Sequence, residues 1–321
     1  MNCKKIMWAG IITLITILVF NSGCIEEKEK PTFVDMSANI TEPDVNANAN
    51  ANDTQIEFTF GVSSIETPQD TYKEYGPLIE YLESKTGYKF KLVQRKNYEE
   101  LTELFLQGEL DFARFGAGAY IDLSSEHEVD ILVLQVKKGY KPNYRSYIIV
   151  HKDSSIRNFD DLRNKSFAFT EALSCSGYYL PISLLAEKNL SAEEFFSETV
   201  FSGKHDTSIE MVLDKKVDGA SVASHTLQDA QEENPEIKEN ILIIHESGLL
   251  VCGPIVVRKE IPQDVTKQVR SILINMHLDD EGRAALNDAK MQQFIEGNDS
   301  VYIPIREMIE STKESLKYPV L

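Results

Sequence analysis

Residues 169–181 read Phe169-Thr170-Glu171-Ala172-Leu173-Ser174-Cys175-Ser176-Gly177-Tyr178-Tyr179-Leu180-Pro181. An apolar strand, Ser166 to Phe169, runs into small hydroxyl and thiol residues and a glycine, and a helical pattern follows. The start of such a helix offers free backbone N–H groups, and hydroxyl donors lie beside them. The stretch therefore predicts a site for a small oxyanion, and Ser202-Gly203-Lys204-His205-Asp206 joins it farther along the chain.

Strands and helices alternate on both sides of this stretch. The predicted strands are Ile56 to Val62, Tyr88 to Val93, Leu110 to Phe115, Ile131 to Val136, Ser166 to Phe169, Val217 to Val222, Ile241 to His245 and Pro254 to Val257. The predicted helices include Tyr98 to Gln107, Gly177 to Lys188, Asp206 to Asp214 and Val265 to Met276. The alternation favours mostly parallel sheets, and such sheets bind ligands beyond the carboxyl ends of their strands. We therefore expect the loops at Ser63 and Gly116 to lie near each other at one rim.

The alternation occurs twice, which predicts two lobes. Residues 56–148 and 253–321 are expected to form lobe 1, and residues 149–252 are expected to form lobe 2. The chain would cross twice between the lobes, and lobes joined in this way can close on a ligand as hinged bodies. The predicted fold class is α/β, with a ligand cleft between the lobes.

The N-terminus has the pattern of a secretory signal. Two lysines precede the apolar run Ile6 to Phe20, which is shorter than the roughly 20 residues of a membrane span. The following Ser22-Gly23-Cys24 resembles a lipoprotein processing box, so residues 1–24 would form the signal and Cys24 would become the lipid-modified first residue. Asn21 departs from the aliphatic residue usual in such boxes, and it leaves an uncleaved anchor or a plain secreted form as alternatives.

Residues 25–55 are rich in Glu, Asn, Ala and Pro, and they include the repeat Asn46-Ala47-Asn48-Ala49-Asn50-Ala51-Asn52. Low hydrophobicity and a repeated polar dipeptide predict a disordered tether. A tether that follows a lipid-modified cysteine would hold the folded part of the chain off a membrane, on its extracytoplasmic side.

Charge and cysteine content narrow the range of partners. The chain has 33 Lys and Arg against 51 Asp and Glu, a formal net charge of −18. This balance disfavours nucleic acid and anionic lipid, because both need clustered basic residues. A small anion remains compatible, because local N–H groups can outweigh a distant, screened surface charge. Cys175 and Cys252 lack metal-binding spacing and are interpreted as buried thiols or as one disulfide, so neither a metal nor another cofactor is predicted.

Five short motifs follow one another along the folded part of the chain. They are Phe-Gly-x-x-x-Tyr at Phe115 to Tyr120, Tyr-x-Ser at Tyr144 to Ser146, Ser-x-Ser-Gly at Ser174 to Gly177, Gly-x-His at Gly203 to His205 and Val-Asp-Gly-Ala at Val217 to Ala220. In this order and spacing the chain resembles the substrate-binding proteins of phosphate, phosphite and phosphonate ABC importers. The resemblance covers nearly all of residues 56–310.

The resemblance implies a two-lobed periplasmic-binding-protein fold of type II, in which each lobe is a mostly parallel sheet flanked by helices. It also implies a protein that captures a phosphorus oxyanion (phosphonate, phosphite or phosphate) and delivers it to the permease of an ABC importer without catalysing a reaction. Combined with the predicted anchor at Cys24, this describes a membrane-tethered extracytoplasmic protein. We expect a monomer.

The resemblance also implies ligand contacts in both lobes. Ser174, Cys175 and Ser176 would form the anion cradle, His205 would donate to the anion or its substituent, Tyr120 and Tyr144 would supply hydroxyls, and Tyr75 would form a wall of the cleft. Two positions depart from the family pattern. Cys175 stands where the family usually has Thr, and Ala223-Ser224-His225 stands where it often has an acid. The second departure argues against an aminoalkylphosphonate ligand.

Three alternatives stay open. The cradle serines could only cap a helix, and His205 could be a structural residue. The chain could present its ligand to a sensor rather than to a permease. Cys175 could also be a nucleophile with His205 as its base, because a thiolate at a helix N-terminus beside His has a lowered pKa.

Overall fold

The structure is a computed structural model, and it describes residues 56–63, 68–139 and 142–316. The predicted signal sequence, Cys24 and the tether over residues 25–55 lie outside these residues. Among the helices that are described, none is long and apolar enough to cross a membrane.

Strands and helices alternate through the described residues. The strands are β1 (Glu57–Ser63), β2 (Lys89–Arg95), β3 (Phe112–Arg114), β4 (Asp130–Lys137), β5 (Asn143–Tyr144), β6 (Ser146–His151), β7 (Ser166–Phe169), β8 (Glu198–Phe201), β9 (Gly219–Ala223), β10 (Ile241–Glu246), β11 (Leu250–Val251), β12 (Pro254–Val257) and β13 (Met291–Ile295). The α-helices are α1 (Pro68–Thr86), α2 (Tyr98–Leu106), α3 (Ala117–Glu126), α4 (Leu180–Ala186), α5 (Ala192–Phe195), α6 (His205–Leu213), α7 (Ser224–Glu233), α8 (Pro235–Asn240), α9 (Gln263–Asn275), α10 (Asp280–Asp288) and α11 (Ile303–Leu316). Short 3₁₀ segments cover Phe159–Leu162, Met276–Leu278 and Asp299–Tyr302.

The larger sheet has six strands in the order β13-β4-β12-β3-β1-β2. Strands β1 to β4 point the same way, whereas β12 and β13 are antiparallel to their neighbours. Phe58, Phe60 and Phe112 on the central strands pack with apolar residues of α1, α9 and α10 to form its main core. We call this sheet and its helices lobe 1.

The second sheet has five strands in the order β10-β6-β9-β7-β8, and only β6 is antiparallel to both of its neighbours. We call this sheet and its helices lobe 2. In strand direction both sheets match the mostly parallel arrangement that the sequence predicts. The reversed strands β6 and β12 each follow a passage of the chain from one lobe to the other, which strand and helix alternation does not reveal.

A short ribbon joins the lobes. Strand β5 pairs antiparallel with β11, so that Tyr144 lies opposite Leu250 and Asn143 lies opposite Val251. Strand β6 begins at Ser146, soon after β5, and β12 begins soon after β11. The predicted lobe boundary between residues 148 and 149 therefore falls inside β6, whereas the one between residues 252 and 253 falls between β11 and β12. The exact lobe limits stay a prediction.

Gly253 lies at the end of this crossing, against the backbone of lobe 1. A Cβ at this position would lie 1.9 Å from the carbonyl oxygen of Phe115 and 2.8 Å from the Cα of Gly116. We expect Gly253→Ala to lower the free energy of unfolding by about 1–3 kcal/mol, as overpacking does, in chemical denaturation. Gly248→Ala is the matched control, because nothing lies within 4 Å of a Cβ there. Equal unfolding midpoints for the two variants would contradict this account.

Candidate functional site

A cavity of about 670 Å³ lies between the two lobes. Lobe 1 contributes Tyr98 at the start of α2, Arg114 at the end of β3 and Lys137 at the end of β4. Lobe 2 contributes the turn that begins with Thr170, directly after β7, and the start of α6. The carboxyl ends of strands from both lobes thus meet at one cavity, as open α/β sheets favour.

Five of the seven predicted ligand contacts line this cavity, and they are Ser174, Cys175, Ser176, His205 and Tyr144. The first three lie on the turn after β7, His205 is the first residue of α6, and Tyr144 belongs to the ribbon that joins the lobes. The structure therefore brings together residues that are far apart in the sequence.

Tyr120 and Tyr75, the other two predicted ligand contacts, are not among the residues that line the cavity. The Tyr120 hydroxyl donates a hydrogen bond to Asp299 Oδ1 at 2.9 Å, and its ring packs on Tyr302 with 4.8 Å between centroids. Tyr75 is buried in the core of lobe 1, with its ring centroid 6.4 Å from that of Phe60. Large aromatic side chains are common core material, and here both tyrosines contribute to packing.

The turn after β7 is wound more widely than the sequence predicts. Residues Cys175–Tyr179 form a π-helical turn, and the α-helix begins only at Leu180. The Ser174 Oγ accepts a hydrogen bond from the N–H of Gly177 at 3.0 Å, so Ser174 does cap this turn. Gly177 is required because a Cβ there would lie 1.7 Å from Thr170 Oγ1.

The same turn keeps donors available at the cavity. No described residue accepts a hydrogen bond from the N–H of Cys175 or of Ser176. The Ser174 hydroxyl accepts from Gly177, which leaves its own hydrogen for another acceptor. Ser146 and Ser221 hold the turn in place, because both hydroxyls donate to the carbonyl oxygen of Ser176 at 2.7 Å. Capping and anion binding are therefore compatible at this turn.

The Cys175 thiol is unsuited to act as a nucleophile. It is buried in an apolar cluster with Leu173 and Tyr179, and burial raises the pKa of the thiol to about 12. The thiolate that the enzyme alternative requires is therefore disfavoured. Cys175 and Cys252 are both free, so the disulfide alternative is not what the structure shows.

His205 is a neutral hydrogen-bond donor. Its Nδ1 accepts a hydrogen bond from the N–H of Ala223 at 3.1 Å. Burial, followed by the nearby positive charge of Arg114, lowers the pKa of His205 to about 4. The single hydrogen of the neutral ring then sits on Nε2, because Nδ1 is occupied as an acceptor.

Arg114 brings a positive charge to the cavity from lobe 1. It is only 9% exposed, and its Nε donates to Gln135 Oε1 at 3.2 Å while Nη1 donates to the Tyr98 hydroxyl at 2.8 Å. Within the described part of the chain, no carboxylate forms an ion pair with this guanidinium, and Nη2 makes no hydrogen bond. The site therefore contains a buried cation whose hydrogen bonds go to neutral oxygens.

The sequence interpretation missed several residues that line the cavity, and they are Arg114, Tyr98, Gln135, Thr170 and Glu171. For Arg114, the sequence did contain an indication of function. Arg114 interrupts the apolar run Phe112-Ala113-Arg114-Phe115 of a buried strand, and a fully buried charge usually has a partner or a function. Tyr98, Thr170 and Glu171 lie at a helix start or in a turn, where a polar residue is unremarkable in sequence, and Gln135 is a polar residue near the end of β4.

A histidine faces the cavity where the family pattern often has an acid. The ring of His225 packs edge-on against Tyr144, with 5.2 Å between centroids. Burial, and then the charge of Lys137, lowers the pKa of His225 well below its ordinary value. Lys137 Nζ itself pairs with Glu74 Oε1 at 3.2 Å. This wall of the cavity therefore presents a neutral imidazole beside a compensated ion pair.

Residues 60–302 match the family model described as ABC transporter, phosphonate, periplasmic substrate-binding protein. The Phosphonates-binding periplasmic protein of Escherichia coli (strain K12) is 26% identical over 265 residues, which cover 81% of this chain and 78% of that protein.

Solved structures show the same fold. The binding protein component of a phosphonate ABC transporter from Pseudomonas aeruginosa superposes with a TM-score of 0.75 at 22% identity, covering 81% of this chain and 88% of that chain. PhnD1 from Prochlorococcus marinus in complex with methylphosphonate has a TM-score of 0.72 at 18% identity and covers 81% and 98% of the two chains. The chain therefore has the two-lobed periplasmic-binding-protein fold of type II, as predicted.

The neutral state of His205 should make folding less favourable in acid. Its folded-state pKa of about 4 lies below its ordinary value of 6.5, so the unfolded chain binds an extra proton between these values. The difference in unfolding free energy between the wild type and His205→Gln should rise with pH across this window, by at most about 1.4 kcal/mol per pH unit, and be flat above it. Denaturant titrations at a series of pH values measure this difference. A flat difference throughout would mean that the folded protein protonates His205 freely.

Proposed function

Because the chain belongs to the family of periplasmic substrate-binding proteins of phosphonate ABC transporters, we propose that it holds a phosphorus oxyanion between its lobes and releases it to an importer. Members of this family are binding proteins rather than enzymes. The protein therefore acts outside the cytoplasm with a small ligand and an ABC permease as partners.

The observation that carries the ligand class is the buried guanidinium of Arg114. A buried charge without an opposite charge is costly, and an anion in the cavity would offset that cost. Arg114 is close enough to His205 to depress its pKa, so the two donors can serve the same ligand. The positive charge comes from lobe 1 and most neutral donors come from lobe 2, so an anion placed between them would favour closure of the lobes.

The donors suit a tetrahedral oxyanion. The N–H groups of Cys175 and Ser176 and the Ser174 hydroxyl converge from one turn, whereas the His205 Nε2–H and Arg114 Nη2 approach from other elements. Several oxygens on one centre can accept from such a set, which a single carboxylate cannot do as fully. The relatives named for phosphonates and the complex with methylphosphonate support phosphonate, phosphite or phosphate as the ligand.

The opposite wall would contact the substituent on phosphorus. Gln135 Nε2 is buried at this wall without a hydrogen-bond partner among the described residues, and it can donate to a polar substituent or to an anion oxygen. Tyr144 and the neutral His225 border the same space. We propose Tyr144 as a ligand contact, and Tyr120 and Tyr75 as residues that support lobe 1.

Arg114→Met should weaken oxyanion binding. Hydrogen bonds to a charged group contribute about 1.5–3 kcal/mol, so the dissociation constant should rise by about 10- to 100-fold. Thermal unfolding with methylphosphonate, phosphite, phosphate and sulfate identifies the ligand first, because a ligand at 100 times its dissociation constant adds about 2.7 kcal/mol of stability. Calorimetric titration then compares the variants.

Arg258→Met is the matched control. Arg258 Nη2 pairs with Asp111 Oδ1 at 2.9 Å, away from the residues that line the cavity. This variant should lose stability but keep the wild-type dissociation constant. If no oxyanion in the panel stabilises the wild type, the proposed ligand class is wrong. If Arg114→Met bound the oxyanion with wild-type affinity, Arg114 would not be a ligand contact.

We also propose that the protein is a monomer tethered to the membrane through a lipid on Cys24. The apolar run before Ser22-Gly23-Cys24 supports this anchor. Residues 25–55 could reach roughly 100 Å when fully extended, which leaves the lobes free to open, close and meet a permease.

Replacing Cys24 should remove the lipid. We expect Cys24→Ser to abolish incorporation of a labelled fatty acid and to move the protein out of the detergent phase in a two-phase extraction. Cys3→Ser is the control, because Cys3 lies within the predicted signal and should leave the label unchanged. Persistent labelling of Cys24→Ser would show that the anchor lies elsewhere.

A further inference from the structure

Glu171 places a carboxyl in the cavity, close in the sequence to the Ser174–Ser176 turn that offers donors to an anion. It lies three residues before Ser174 on the turn after β7, and it lines the cavity. Its Oε2 accepts a hydrogen bond from the N–H of Tyr98 at 3.1 Å. Tyr98 is the first residue of α2 in lobe 1, so this carboxyl bridges the two lobes at the site itself.

The surroundings of Glu171 raise the pKa of its carboxyl toward neutral pH. The charged groups that face it are Arg114 on β3, Glu99 on α2 and Lys204 before α6, and none of the described basic side chains forms an ion pair with it. Burial is the dominant influence and raises the pKa of Glu171 to about 7, although the Tyr98 N–H and the charge of Arg114 act in the opposite direction. Oε1 receives no hydrogen bond from any described residue.

We propose that Glu171 is protonated in the complex and donates a hydrogen bond from Oε1 to an oxygen of the bound oxyanion, so that the site takes up a dianion together with one proton. This inference rests on the proposed function. Glu171 would thus determine which protonation state the site binds, whereas the other donors hold the anion in place.

The physical reason is the repulsion between two negative groups in one buried site. An ionised Glu171 beside a dianion would be strongly unfavourable, whereas one proton between the carboxyl and the anion converts repulsion into a hydrogen bond. Oε2 is already fixed by Tyr98, so Oε1 is the oxygen that can carry this proton. Binding should therefore weaken above neutral pH, where the free protein must first take up the proton.

Glu171→Gln tests the proposal, because its amide can still accept from Tyr98 and donates to an anion at every pH. The probe is methylphosphonate, titrated calorimetrically into both proteins from pH 6 to pH 8. The ratio of wild-type to variant dissociation constants cancels the titration of the probe. This ratio should rise about tenfold between pH 6 and pH 8, because a group whose pKa is about 7 is almost fully ionised by pH 8.

A second measurement uses the wild type alone. At pH 8, titrations in two buffers of different ionisation enthalpy should show uptake of close to one proton per methylphosphonate bound. Glu103→Gln is the control, because Glu103 lies on the same helix as Tyr98 at an exposed position outside the cavity and is not among the charged groups that face Glu171, so its ratio should not change with pH. A constant ratio for Glu171→Gln, or the same rise in Glu103→Gln, would overturn the proposal. A wild type that binds no oxyanion even at pH 6 would instead refute the proposed function, and this proposal with it.

Discussion

Arg114 carries a full positive charge into the interior of the protein, where Tyr98 and Gln135 hold it with neutral oxygens. Such hydrogen bonds orient a guanidinium but do not cancel its charge. Its strand, β3, lies between β1 and β12 in the six-stranded sheet, so the backbone of Arg114 cannot shift toward solvent without disrupting the sheet. The charge of the site is therefore built into lobe 1, and the function of the other groups follows from it.

Burial favours the neutral form of each titratable group around Arg114. It lowers the pKa of His205 and His225, and it raises the pKa of Cys175 and Glu171, so each is driven toward its neutral form. Lys137 is compensated by Glu74, which leaves Arg114 as the main source of local charge among these groups. A chain with a formal net charge of −18 can thus place a buried positive charge at the cavity. Overall charge therefore says little about the ligand of such a cleft.

The sequence predicted cavity residues that belong to a local motif, and it missed residues that only the tertiary fold brings to the cavity. Ser174 to Gly177 and His205 could be identified, because hydroxyls, glycine and a helix start create donors locally. Tyr120 was predicted in the same way, from a short sequence motif, but its hydroxyl donates a hydrogen bond to Asp299, a residue far away in the sequence. Arg114 was missed because alternation and apolar content describe the strand around it and not the cavity at its end. The direction of β6 was likewise hidden, since it depends on how the chain enters the second lobe.

Cys175 stands where the family usually has Thr, and this difference affects the contact between the lobes more than it affects the hydrogen-bond donors of the cradle. Its N–H is available whatever the side chain, and its thiol belongs to an apolar cluster that includes residues of both lobes, such as Leu173 in lobe 2 and Tyr98 in lobe 1. The same turn touches lobe 1 again where a Cβ on Gly118 would lie 2.4 Å from the carbonyl oxygen of Leu173. The groups proposed to hold the anion and the groups that hold the lobes together thus lie on one short segment. A thiol in place of a hydroxyl makes that segment more apolar, so it should favour lobe contact, while ligand choice depends on the groups that face the anion from lobe 1.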